Sequence, residues 1–336
     1  MRGKRRKITV KDIALKTGYS VNTVSRALRD KDDIAPETRE KIRQVAQEMG
    51  HVNNTLAASL RLGYTNTVAV ILGDISNPHF SIMMKEIEAH AREFGYTSIL
   101  LNTNEDEELE LKAIEAALNK NVDGIIICPV QKSRRNLEYL EKTGVPFVLI
   151  GRREADYNYV VCNDELGGYQ ATKELLKAGH RNILLLHGAS YISSAKERLE
   201  GYRRAFAEEG LIVNEKLIRE VPVMANGCEA IFLQLEKEKQ HYTAIFAFSD
   251  MLAWEAWCCL IRRGIGVPKD CSLIGFDHIQ SRLYLPFQLT SVSSYKGRMS
   301  TAAVDILIHQ MEEKTEKEQI IINTALAEGC TVAKAK

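Results

Sequence analysis

The 336-residue chain has no uninterrupted apolar run of about 18 residues, the length a membrane-spanning helix needs, so no span is expected. It contains neither GxGxxG nor GxxxxGK, which argues against the glycine-rich loops that cradle dinucleotide and nucleotide phosphates. Gly188-Ala189-Ser190 begins a nucleophile elbow, but Ile192 stands where the closing glycine belongs. The seven cysteines show no CxxC spacing and the eight histidines form no ligand cluster, so no metal site is expected. An odd number of scattered cysteines suits reduced thiols in the cytosol. The basic start runs into ITVKDIALK, which is no signal-peptide core. These absences favour a cytoplasmic protein with no catalytic residues, no cofactor and no metal.

What the chain does have is concentrated at its start. In residues 9–30, TVKDIALKTGYSVNTVSRALRD, Thr9 and Asp12 have capping-box spacing. Val10, Ile13 and Ala14 then mark one face of a helix. Gly18 supplies a turn, and Ser20 can cap a second helix over Val21–Leu28. Val24, Ala27 and Leu28 point this helix inward and leave Val21, Asn22, Ser25, Arg26 and Arg29 outside. This pattern predicts a helix-turn-helix. In a major groove Arg26 can fork onto guanine, Asn22 can pair with adenine and Val21 can meet a thymine methyl. A solvated helix hairpin would share the periodicity, but charge favours DNA. Residues 1–62 hold 14 Lys and Arg against 7 Asp and Glu, net +7, in a chain whose total is +1. The arm Arg2, Lys4, Arg5, Arg6 and Lys7 can neutralise phosphates, or serve as a solubilising tail.

A third helix is predicted over Pro36–Met49 and stopped by Gly50. Residues 51–65, HVNNTLAASLRLGYT, read as a linker whose short helix needs outside support to form.

Thr9–Asp30, ETREKI at 37–42 and NNTLAASLR at 53–61 together resemble the LacI/GalR family of bacterial transcription regulators. The resemblance implies a helix-turn-helix domain at 1–50, a hinge at 51–65 and a two-lobed effector and dimerisation domain at 66–336. It implies base reading by Val21, Asn22 and Arg26, with Ser20, Thr23 and Ser25 contacting or supporting phosphate contacts. It implies a hinge leucine, Leu60, wedged into a minor-groove step. Arg29, His51, Val52 and Ala58 depart from the family's pattern.

Residues 66–336 alternate apolar β-type runs (67–73, 97–101, 124–128, 147–150, 183–186, 244–248 and 272–276) with helical stretches near 79–94, 106–120, 165–178, 195–210 and 249–263. Such alternation predicts an α/β fold with buried parallel sheets. The pattern restarts near Asp164, which suggests two similar lobes and a cleft at the strands' carboxyl ends. DISNPHF (74–80), AGHRNILLLHG (178–188), ERLEGY (197–202) and GVPKDCSLIGFD (266–277) extend the family resemblance and imply a periplasmic-binding-protein-like core.

In that cleft Arg198 can fork onto two hydroxyls, and Asp277, ending an apolar strand, needs a polar partner. Ser249 ends another strand, and Phe80 can stack on a sugar face. Position in the family adds Ser194. Asp250 reads as the cap of the following helix, and a structural bridge between Arg198 and Asp277 is the alternative to ligand binding by either. Trp254 and Trp257 suit either an interface or lobe core, and Tyr284 matches a dimer-interface position.

The expected protein is therefore a homodimeric repressor of carbohydrate-related genes. It binds double-stranded operator DNA under control of a small effector, a sugar or sugar phosphate, with a purine or protein corepressor as alternatives. An exported sugar receptor and an α/β sugar-processing enzyme fused to a DNA-binding module are the competing classes.

Overall fold

The computed structural model describes residues 8–29, 33–51, 63–221, 227–282, 287–312 and 317–336. The chain divides into two compact units, 1–65 and 66–336.

The first unit contains helices α1 (Val10–Thr17), α2 (Val21–Ala27) and α3 (Pro36–Glu48). Thr9 and Asp12 form the reciprocal capping box, and Gly18 ends α1 in the left-handed conformation. Ser20 caps α2 by accepting from the Thr23 amide. Helix α3 has Ala35 at its cap and no side-chain cap bond; Pro36 at its first position partly compensates. Ile13, Ala14, Val24, Ala27, Ile42 and Ala46 close a small core between the three helices. His51 Nδ1 lies 2.9 Å from the Ile8 carbonyl and ties the end of the unit to its start.

The second unit contains two six-stranded sheets. Strands β1 (Thr67–Leu72), β2 (Thr97–Asn102), β3 (Gly124–Ile127), β4 (Phe147–Ile150) and β5 (Tyr159–Cys162) join β11 (Gln319–Ile322) in the order β11-β5-β4-β3-β1-β2, all parallel. Strands β6 (Ile183–His187), β7 (Ile218–Glu220), β8 (Ala244–Ala247), β9 (Ser272–Asp277) and β10 (Thr290–Ser293) join β12 (Ala325–Ala327) in the order β12-β10-β9-β8-β6-β7. Only β12 runs antiparallel to its neighbour among these described pairs. The central strands are apolar at nearly every position because helices cover both faces.

Each sheet forms one lobe, and the chain crosses between lobes three times: after β5, after β10 and between β11 and β12. The sequence reading named seven strands; β5, β7, β10, β11 and β12 are additions. Helices Arg135–Thr143, Cys228–Lys237 and Lys296–Glu312 are likewise additions. These strands are only three or four residues long, too short to show a period.

Two helices of the second lobe, Asp164–Lys177 and Ser193–Glu208, approach almost backbone to backbone. A Cβ on Gly168 would lie 2.2 Å from the Arg198 carbonyl oxygen, and one on Gly201 would lie 2.0 Å from the Glu165 carbonyl oxygen. This contact sets the position of Arg198. Gly201→Ala should therefore lower stability by about 3 kcal/mol, the top of the usual overpacking range, because rigid backbone has to move. Urea unfolding measures this; an unchanged midpoint would show that the helices have room to part.

Candidate functional site

In the first unit, Val21, Asn22 and Arg26 lie exposed on α2, with Ser25 half-buried beside them. The Ser20 and Thr23 hydroxyls are 2.8 Å apart at the helix start, so both serve the cap. Arg26 is already engaged, its guanidinium hydrogen-bonded to the Asp33 carboxylate. Leu60, the N-terminal arm, Tyr284 and residues 222–226 lie outside the described residues.

In the second unit, a cavity of about 500 Å³ lies between the lobes at the carboxyl ends of the strands. Asp74, His79 and Phe80 follow β1 on one wall; Glu105 follows β2 and Arg152 follows β4. The other wall carries Ser194 and Arg198 from the helix after β6, Phe248 and Ser249 after β8, and Asp277 at the end of β9. Phe80, Ser194, Arg198, Ser249 and Asp277 thus line one cavity. Phe80 also belongs to a hydrophobic core cluster that includes residues of both lobes.

Arg198 is nearly buried. Its Nε donates to Asp164 Oδ1 at 2.8 Å and its Nη1 donates to the Phe248 carbonyl. The guanidinium carbon lies 4.4 Å from the Phe248 ring centre and 3.4 Å from that of Phe276. Its Nη2 is 4.0 Å from Asp277 Oδ1. Asp164, rather than Asp277, is therefore its close partner. A guanidinium has five N–H donors, so this arrangement leaves capacity directed toward the cavity side. Asp164 escaped the sequence reading as a site residue; its only signal was an acid at the start of a helix.

Asp277 has a left-handed backbone, φ 96°, and its carbonyl accepts from the buried ammonium of Lys296. Its Oδ1 lies 3.3 Å from His79 Nδ1 on the opposite wall. Ser249, not Asp250, caps helix Asp250–Arg262, by accepting from the Leu252 amide. Asp250 points inward, where it accepts from the Ser291 hydroxyl at 2.6 Å and the Ile279 amide at 2.7 Å. Expecting a cap at Asp250 missed that the strand end presents the serine in the extended conformation a cap needs. Trp254 and Trp257 stack on each other at 5.5 Å, with Phe287 packed on both, and Trp254 reaches the cavity.

Further contacts join the lobes beside the cavity. Arg153 Nε donates to Glu197 Oε1 at 2.8 Å, and the Ser193 amide donates to Gln131 Oε1 at 3.0 Å.

Two independent observations define the class. A capped helix-turn-helix with a polar outer face precedes a two-lobed α/β core with a ligand-sized cleft, as in a ligand-responsive DNA-binding regulator. Comparison with known proteins agrees. Residues 9–54 match the model for bacterial regulatory proteins of the lacI family. Residues 65–330 match the model for periplasmic binding proteins and the sugar-binding domain of the LacI family. The chain belongs to the LacI family of DNA-binding transcriptional regulators, a family of regulators and not of enzymes.

It is 36% identical over 278 residues to the HTH-type transcriptional regulator DegA of Bacillus subtilis (strain 168), covering 81% of this chain and 82% of that protein. It is 30% identical over 318 residues to the HTH-type transcriptional repressor PurR of Aliivibrio fischeri (strain MJ11), covering 93% and 94%. In fold it is similar to a lac repressor dimer bound to operator and the anti-inducer ONPF, with a TM-score of 0.84 and 22% identity over 98% of this chain and all of that one. It is also similar to the transcriptional regulator CelR–cellobiose complex, with a TM-score of 0.72 and 25% identity over 97% of this chain and all of that one.

Burial pulls the His79 imidazole down to about 4, against the pull of Asp277, and Lys296, Arg198 and Arg152 push the same way as burial. Its unfolded value is near 6.5, so the unfolded chain takes up more protons between pH 6.5 and 4. Stability from His79 is therefore present above pH 6.5 and falls by on the order of 3 kcal/mol as pH drops through that window. Asp250 and Glu197 run in the opposite sense: burial first, then a neighbouring aspartate, pushes both carboxyls up to about 7. The difference between parent and His79→Asn isolates the histidine. The variant should lose less stability on acidification, measured by urea unfolding at pH 7 and pH 4.5; parallel losses would show that His79 is not buried neutral.

Proposed function

We propose that this protein is a homodimeric repressor of carbohydrate-related genes, acting in the cytoplasm on a near-palindromic operator and controlled by a sugar bound in the interlobe cavity. Residues 1–50 form the DNA head, 51–65 the hinge and 66–336 the effector domain. The observation that carries the reading is the convergence of Arg198, Asp277, Ser194 and Ser249 on one cavity lined also by aromatic rings. Hydroxyl donors and acceptors beside aromatic faces suit a polyhydroxyl ligand. The sugar-binding domain named in the matching family model and the cellobiose bound in a similar fold point the same way.

On DNA, Val21, Asn22 and Arg26 read bases, Ser20, Thr23 and Ser25 hold or support phosphate contacts, and Leu60 wedges a minor-groove step. Two-fold symmetry of the protein asks for a two-fold operator. The effector acts through its different affinities for the DNA-binding and released arrangements.

Three measurements test this. An operator is first selected from random duplexes with the purified protein. Arg26→Ala should weaken that operator by about 1–3 kcal/mol and relax preference at one base pair; binding equal to the parent would remove α2 as the reading helix. Leu60→Ala should reduce both operator affinity and DNA bending, and an unchanged bend angle would leave residues 51–65 a tether. For the cavity, a thermal-shift panel of sugars and purines identifies a ligand. Arg198→Ala and Asp277→Ala should each bind it about ten- to a hundredfold more weakly, since hydrogen bonds to charged groups are worth about 1.5–3 kcal/mol. Effector-free operator binding should survive in both. Undiminished ligand affinity in both variants would place the effector elsewhere.

A further inference from the structure

We infer that Glu105 determines the charge class of the effector: it occupies the position an anionic group would take against Arg152, so the cleft admits an uncharged polyhydroxyl ligand and turns away its phosphorylated or carboxylated counterpart. This rests on the interlobe cavity being the effector site.

Arg152 and Glu105 both line the cavity, and their side chains are 6% and 8% exposed. Arg152 Nη1 and Nη2 donate to Glu105 Oε2 and Oε1, each at 2.8 Å, and Nη1 also donates to the Pro129 carbonyl at 2.7 Å. This is the two-pronged geometry with which arginine holds a carboxylate or phosphate. The protein therefore contains an anion-binding fork already filled by its own carboxylate.

The placement of that carboxylate depends on unusual local structure. Asn104 and Glu105 are consecutive non-glycine residues in the left-handed region, φ 51° and 57°. Such conformations are held only where the surroundings enforce them. On the facing strand end, a Cβ on Gly73 would lie 2.1 Å from Glu105 Oε1, so the carboxylate fits because residue 73 is glycine.

The rest of the lining agrees. The other arginine, Arg198, is committed to Asp164. Asp74, Glu255 and Asp277 add three more carboxylates to the cavity wall. His79 is neutral at physiological pH because burial lowers it to about 4. The buried Lys296 donates to the main-chain oxygens of Asp277 and His278. A phosphate entering this cavity meets four carboxylates and two arginines that already hold acid partners. A hydroxyl group can share any of these acceptors without importing charge.

The test uses the full-length chain and matched probes: glucose against glucose 6-phosphate and glucuronate, ribose against ribose 5-phosphate, and sulfate at constant ionic strength. Thermal shift and calorimetry read binding. The parent should show no saturable binding of sulfate or of the phosphorylated sugars. Glu105→Gln should bind sulfate at least about tenfold more tightly than the parent, because it frees the fork while keeping the side chain's shape. Adding Arg152→Gln should abolish that gain. If Glu105→Gln does not fold, Glu105→Ser takes its place in the same titration.

Two results overturn the inference: a parent that binds a phosphorylated sugar as well as its neutral partner, or a folded Glu105 variant with no gain in sulfate binding. The underlying effector-site reading fails separately. A neutral sugar that stabilises the parent and Arg198→Ala equally would refute the cleft as the effector site while leaving the sulfate result for Glu105 intact.

Discussion

The ion pair between Arg198 and Asp164 is the contact on which the effector domain depends. Asp164 begins the helix that follows the first crossing between lobes, two residues after β5 ends. Arg198 comes from the next helix but one strand later, and reaches Asp164 because Gly168 and Gly201 let the two helices approach closely. A buried pair gains little net stability over an apolar replacement, yet removing one member leaves an uncompensated charge. Its value here is positional. The aromatic faces of Phe248 and Phe276 and the Phe248 carbonyl fix the guanidinium plane. One side chain therefore joins the crossing, the second lobe's sheet and the cavity wall. A ligand that binds Arg198 contacts a group held against the start of the helix that follows the first crossing.

The same rigidity makes the interlobe contacts informative. His79 faces Asp277 across the cavity, Arg153 holds Glu197 and Gln131 accepts from the first amide of the Ser193–Glu208 helix. That helix has no side-chain cap of its own in the second lobe, since Ile192 occupies the cap position. Its start is completed by a residue of the other lobe. Separating the lobes would expose an uncapped helix end and part a charged pair, so their relative position has an energy that a ligand can change. Differential affinity for the two arrangements is what any effector requires to act at a distance.

The DNA head was legible because its signals are local. A capping box, a glycine turn and an apolar stripe each occupy a few adjacent residues, and all three appear in α1 and α2. The central strands were legible because burial on both faces leaves nearly unbroken apolar runs. The strands at or near the crossings were not. TSVS in β10 is polar and four residues long, and β12 is ALA. β12 pairs with β10 and β11 with β5, and Gln319 meets Tyr159 from the far end of the chain, so tertiary contacts and not local pattern define these edge strands. Site residues divided in the same way. Asp277 ended an apolar run and stood out; Asp164 and Glu105 lie among other acids in helix-start segments, where solvated acids are ordinary. What distinguishes them is the arginine each one meets, 34 residues away for Asp164 and 47 for Glu105.

Arginine serves opposite ends in the two units, and burial decides which. Arg26 is bonded to Asp33, but both side chains are nearly half exposed, at 46% and 47%. An exposed pair is worth about 0–1 kcal/mol, because water and salt compete for each partner. A partner offering two acceptors can replace Asp33 at little cost, so the pair orders the Arg26 side chain without withholding it. Arg152 and Arg198 are engaged just as fully, yet their partners are nearly as buried as they are. Solvent cannot take over an acid displaced there, and an incoming anion would strand it in the cavity wall. Exposed arginine in the head thus remains available to an anionic, acceptor-rich polymer. Buried arginine in the core has its charge already matched by a buried acid, and on that matching rests the inferred preference for hydroxyl groups over phosphate.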